Sequence, residues 1–166
     1  MPGTALREIR AQAHSALGPE AVFAVLWNVA VQHEFVPNVK DLRVLRQSED
    51  EVVVYERVKI PVAQDRDYVL RLTKKVDAAT RVYEVKAEGA SELGPPPPRG
   101  VVRMTRLSSV FGVRPGRDGG SDITYTSFGD PAGSLPAWII RAADVSGPRD
   151  FVRAILQRAE QNAAKK

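Results

Sequence analysis

Four consecutive segments of this chain, Asp41 to Arg46, Glu51 to Ile60, Arg66 to Val76 and Arg81 to Glu88, place apolar residues at every second position. Turn-prone residues separate them, so the spacing predicts an antiparallel meander. A sheet that is apolar on one face must bury that face against another layer. The remaining chain supplies one. Before the meander, Leu6 to Ser15 alternates loosely as a first strand, and Gly18-Pro19-Glu20 sets a helix start with proline at the first helical position. That helix is predicted over Pro19 to about Val31, with Val22, Leu26 and Val29 on one face and Phe23 alongside.

After the meander, GASELGPPPPRG, Gly89 to Gly100, cannot join a ladder because its prolines lack N–H groups. A stiff loop of this length is expected as a lid or binding loop, with a proline-rich ligand for a partner domain as the lesser reading. Val101 to Phe111 and Asp122 to Phe128 make two further strands around the exposed turn RPGRDGGS. From Leu135 to about Gln161 the pattern is helical, and Gly147-Pro148 predicts a kink or break. The economical fold is α+β: a curved antiparallel sheet of about seven strands wrapped around the long C-terminal helix, with an internal cavity between them. The 166 residues suit a single domain, 1–166.

Composition narrows the function classes. The longest apolar run, Ala21 to Trp27, is too short to span a bilayer, and MPGTALREIR has no apolar core for a secretory signal, so a cytoplasmic location is expected. No cysteine is present, which removes disulfides and thiolate chemistry. The net charge of +4 is spread among acids along the chain and reads as solvated surface, with transient contact to an anionic membrane as a secondary expectation. His14 and His33 belong to no metal-ligand spacing, and phosphate-loop, dinucleotide and serine-elbow patterns are missing. No metal, no cofactor and no nucleic-acid partner is therefore expected.

Two charges break the apolar parity. Val52, Val54, Val58 and Ile60 share one face with Glu56, and Tyr68, Leu70 and Leu72 share theirs with Arg66. A lone carboxylate on a cavity wall costs several kcal/mol, so Glu56 must be protonated, hydrated or matched. With a turn centred near Ala63, Glu56 faces Leu70 and Arg66 faces Ile60, roughly 13 Å apart along the strand, too far for a direct bridge. Glu56 then reads as a polar anchor for a ligand hydroxyl or amine, or as a structural partner of Arg103 or internal water. Arg66 reads as a contact for an anionic head group, a brace for a loop, or a partner of Asp65 or Asp67.

PEAVFAVLWN, FVPNVKDLRVL, VVVYERVKIP, DRDYVLRL, RGVVRMTRL and YTSFGDPAGSLPAWII, in that order between about Leu6 and Leu156, resemble the START domain. This is the steroidogenic-acute-regulatory-protein-related lipid-transfer module of the helix-grip superfamily. The resemblance implies a tunnel between sheet and C-terminal helix that holds a lipid, sterol-like or other hydrophobic small molecule, with neighbouring loops as gate. Some sterol-carrying members place an arginine where Leu72 stands here, so that role does not carry over. The expected ligand contacts are Val54, Glu56, Val58, Arg66, Tyr68, Leu70 and Leu72. Tyr83, Met104, Tyr125, Trp138 and Ile139 join them for inward parity or for their place on the last helix. The alternative in the same superfamily is a polyketide cyclase or aromatase, with Glu56 as acid or base and Tyr68 or Arg66 orienting the substrate. GDPAGSLP, Gly129 to Pro136, reads either as a hinge or as a rigid helix entrance.

Overall fold

The computed structural model describes residues 7–166. Strand β1 (Ile9–Ser15) leads into helix α1 (Pro19–Trp27), and β2 (Val39–Gln47), β3 (Glu51–Val58), β4 (Arg66–Asp77) and β5 (Val82–Gly89) form the meander. A two-residue β6 (Val102–Arg103), then β7 (Leu107–Pro115), β8 (Ser121–Gly129) and helix α2 (Ala137–Ala164) complete the chain. The sheet runs β1-β8-β7-β5-β4-β3-β2, antiparallel throughout this path, and β6 attaches in parallel to β4. The helix-grip expectation holds.

The strand predicted over Val101 to Phe111 is two. Met104 to Arg106 leave the ladder where the backbone crosses the end of β5, and a Cβ on Gly89 would lie 2.6 Å from the Thr105 carbonyl oxygen. Only glycine permits that approach. The expected start of the first strand at Leu6 lies outside the described residues.

α1 stops sooner than its periodicity suggests. Asn28 leaves helical geometry and a 3₁₀ segment, Val29–Glu34, follows. The buried Gln32 amide donates to the Leu26 carbonyl at 2.9 Å, satisfying an acceptor that the helix end leaves open. The apolar face persists across the change, since Val22, Leu26 and Val29 are all buried.

α2 runs unbroken through Pro148. Its C-terminal half packs on α1 and β1 through Val152, Ile155 and Ala159, whereas no residue between Ile139 and Val152 is buried. The main core therefore sits at one end of the grip, where α1, α2 and the inner faces of β3, β5 and β7 meet. The N-terminal half of α2 bridges open space.

Candidate functional site

The inner face of the sheet and α2 enclose two joined chambers. The outer one, about 330 Å³, is bordered by Arg66, Met104 and Ile139. The inner one, about 250 Å³, is bordered by Val54, Glu56 and Leu72. Val58, Tyr68, Leu70 and Tyr125 line both, as does Gly147 from α2 above. Ten of the twelve expected residues are thus brought together on one cavity.

Tyr83 and Trp138 are not. Tyr83 has inward parity but lies near the far end of β5, where its ring stacks on Phe23 at 4.7 Å and its hydroxyl donates to Glu20. Trp138 is 58% exposed, on the stripe of α2 opposite Ile140, Ala143, Gly147 and Phe151, which face the chambers. Place on a helix did not identify its face. Other wall residues escaped sequence reasoning, Ser109, Gln32 and Phe151 among them. Phe151 shares the i, i+4 stripe of Gly147 and Ser109 shares parity with Phe111, whereas no sequence signal marks Gln32.

Glu56 pairs across the ladder with Tyr68 and Val58 with Arg66. The turn is centred on Val62, whose φ is 55°, not on Ala63. Moving the centre by one residue shifts the pairing by two, so every side chain keeps its predicted face while its opposite neighbour changes. As a result the Tyr68 hydroxyl donates to Glu56 Oε1 at 3.0 Å. Among the described residues no cation joins them: Arg103 is committed to Asp67, and Arg66 to backbone carbonyls. Burial pushes the Glu56 carboxyl up to about 7, and the Tyr68 hydrogen bond pulls it back only in part. The same burial, with the neighbouring carboxylate, raises the Tyr68 phenol well above its ordinary range. The inward glutamate is matched by a phenol and by its own proton.

Arg66 is 2% exposed and braces a loop. Its Nε donates to the Pro131 carbonyl at 3.0 Å, Nη2 to Ala132 at 3.0 Å and Nη1 to Gln64 at 2.7 Å. Burial lowers its pKa, and no carboxylate offsets this. The guanidinium thereby ties the segment Gly129 to Pro136 to β4 just before α2 begins. Within it Ala132 and Gly133 take left-handed φ values of 54° and 63°, and the Asp130 carboxylate accepts the Ala132 N–H at 3.0 Å. An L-residue held there keeps its conformation only while its surroundings enforce it. Arg66→Ala is expected to accelerate amide exchange in residues 130–136 by about tenfold or more, since each hydrogen bond from a charged donor contributes about 1.5–3 kcal/mol. Unchanged exchange there would show that the tether lies elsewhere.

The proline loop is not a lid. It packs on the convex face of the sheet, away from the chambers, over a second small core of Val53, Tyr55, Val69, Ala90 and Leu93. Arg103 fixes it, donating two hydrogen bonds to the fully buried Asp67 at 2.8 and 3.0 Å and a third to the Pro95 carbonyl at 2.8 Å. Proline stiffness signalled a loop but carried no information on which face it would cover.

A START domain family model matches residues 3–165. The bovine (Bos taurus) phosphatidylcholine transfer protein is 28% identical over 145 residues, covering 86% of this chain and 68% of that protein. The mouse (Mus musculus) phosphatidylcholine transfer protein is 30% identical over 124 residues, 73% of this chain but 58% of its own length. A crystallised fragment of the STAR-related lipid transfer protein from Xanthomonas axonopodis superposes with a TM-score of 0.83 at 24% identity, over 96% of this chain and 89% of the fragment.

Proposed function

This chain belongs to the START domain family, and from that premise we propose that residues 1–166 act as one domain that carries a lipid, sterol-like or similar hydrophobic molecule and passes it between membranes. The observation that carries this reading is the pair of joined chambers under the half of α2 that buries nothing between Ile139 and Val152. Desolvating an apolar guest supplies affinity at about 25 cal/mol per Å² of buried apolar surface. The Tyr68 and Glu56 groups then orient the guest.

Each chamber sits near or below the lower end of the roughly 300–1,000 Å³ usual for pockets of drug-sized ligands. A single-chain or polycyclic guest suits the closed form, and a two-chain lipid requires α2 to stand further off. The way in is the Arg66-held loop together with the first half of α2. Beside it the outward stripe of α2 presents the exposed Trp138 and Val145 with Arg141 and Arg149, a face suited to transient contact with an anionic leaflet. Among the described residues no helix is long and apolar enough to cross a membrane. A cytoplasmic site of action accords with the proposal.

Gly147 provides the test. A Cβ there meets no atom within 4 Å, and the residue lies on the seam between the chambers. Gly147→Leu is expected to raise helix stability by up to about 1 kcal/mol while filling the seam. Native mass spectrometry of the purified protein, with extraction and vesicle-to-vesicle transfer of a fluorescent fatty acid or sterol, should show cargo and transfer in the parent protein and loss of both in the variant. Transfer that survives in a well-folded Gly147→Leu protein, or a parent that takes up neither probe, defeats the reading.

A further inference from the structure

An anchor for a ligand hydroxyl needs only a neutral donor or acceptor, and a serine or asparagine would serve without the cost of a buried acid. The inner chamber holds a carboxyl instead. Glu56 Oε1 receives the Tyr68 hydroxyl, whereas no donor among the described residues engages Oε2, and the residue lines the chamber. No guanidinium or ammonium among the described residues pairs with the group and quenches its basicity. A second phenol, Tyr125 from β8, lines the same chamber, where burial raises its pKa and the Glu56 charge adds to the rise. Among the described residues Tyr68 is the titratable group whose contact acts on the Glu56 carboxyl. A base with one free oxygen, a hydroxyl that fixes it and a further hydroxyl nearby is the equipment for moving a proton to and from carbon.

We propose that the inner chamber is a proton-transfer site for enolisable ketones, with Glu56 as the acid–base group, Tyr125 as hydrogen-bond donor to the carbonyl oxygen and Tyr68 as positioning residue. The proposal rests on the reading that the cavity admits an apolar guest. Glu56 Oε2 takes a proton from the carbon beside the carbonyl. The C–H bonding pair becomes the carbon–carbon π bond of an enolate, and the carbonyl π pair moves onto oxygen, where Tyr125 donates a hydrogen bond. The Glu56 carboxylic acid then returns the proton, to the same carbon or, in a β,γ-unsaturated ketone, to the γ-carbon, which brings the double bond into conjugation. Proton and electrons balance without a co-reactant. A carboxyl that ionises near neutrality, as burial makes this one, is suited to both halves of the exchange.

The experiment follows deuterium uptake by 2-tetralone in heavy water by proton NMR, with binding of the ketone measured separately by quenching of intrinsic fluorescence. The full chain should accelerate exchange on the order of a hundredfold over buffer. Glu56→Gln should return the rate to background at ketone concentrations that saturate the variant, so that the loss reports the proton-transfer step and not occupancy. Tyr68→Phe should move the pH midpoint of the rate upward, because the phenol's hydrogen bond holds the carboxyl down. A purely structural tyrosine would not shift that midpoint. Background exchange with the ketone bound, or full exchange in Glu56→Gln, overturns the proposal. Failure of 2-tetralone to bind overturns it too, yet leaves lipid carriage standing if the vesicle assay still reports transfer; loss of both removes the carriage reading as well.

Discussion

Arg103→Ala is expected to lower unfolding stability by roughly 3–5 kcal/mol, the usual consequence of removing one partner from a buried ion pair. Asp67 has no exposed surface, and both its carboxylate oxygens accept from Arg103. Without the guanidinium the carboxylate stays buried with no counter-charge on either oxygen. The same arginine holds the Pro95 carbonyl, so the loop over Val53, Tyr55 and Val69 loosens with it. Urea midpoints at pH 7 measure the loss. Asp67→Asn combined with Arg103→Met should recover much of it, because a matched neutral pair carries no uncompensated charge. Cargo uptake by the destabilised single variant, measured well below its unfolding midpoint, should be close to that of the parent, since the pair lies on the face of the sheet away from the chambers. A loss under about 1 kcal/mol would mean that water reaches Asp67, and a selective loss of uptake would place the proline loop in the gate after all.

That prediction turns on a contact hidden from the sequence. Period-two alternation determines which residues share a face, and it sufficed to put Glu56, Tyr68, Leu70 and Tyr125 on one wall. Register depends instead on the turn, and the turn depends on Val62, a β-branched residue at positive φ that propensity disfavours. The error of one residue in its centre exchanged Leu70 for Tyr68 opposite Glu56, and with it a solitary carboxylate for a hydrogen-bonded pair. Long-range partners were less legible still. Arg66 reaches carbonyls 65 and 66 residues away, and peptide carbonyls leave no mark in a sequence because every residue has one. Side-chain periodicity also says little about how closely a helix approaches the layer beneath it. The cavity under α2 is legible only as the run between Ile139 and Val152 where small and polar residues, Ala142, Ala143, Asp144, Ser146 and Gly147, replace the large apolar ones that a packed helix would need.

Replacing Glu56 by glutamine should remove a pH dependence from folding. The folded-state carboxyl titrates at about 7 against an ordinary 4.5, so the folded chain holds this proton more tightly than the unfolded chain does. Stability from the protonated group is complete below about pH 4.5, declines as the pH rises toward 7 and is gone above it. At about 1.4 kcal/mol per pH unit, and with the water-accessible edge of the carboxyl allowed for, the decline is roughly 2–3 kcal/mol. Glutamine is nearly isosteric, accepts the Tyr68 hydroxyl through its amide oxygen and has no proton to lose. The stability difference, Glu56→Gln minus parent, should therefore be near zero at pH 4.5, grow through pH 6 and level off at roughly 2–3 kcal/mol by pH 8, as read from urea midpoints. His14, whose pKa is raised by hydrogen bonds to Asp122 and Asp118, is common to both proteins, so its titration cancels in the difference. Parallel stability curves across the range would mean that Glu56 ionises as an exposed glutamate does. Both the orienting role assigned to it in carriage and the proton transfer proposed for the inner chamber would then lose their physical basis.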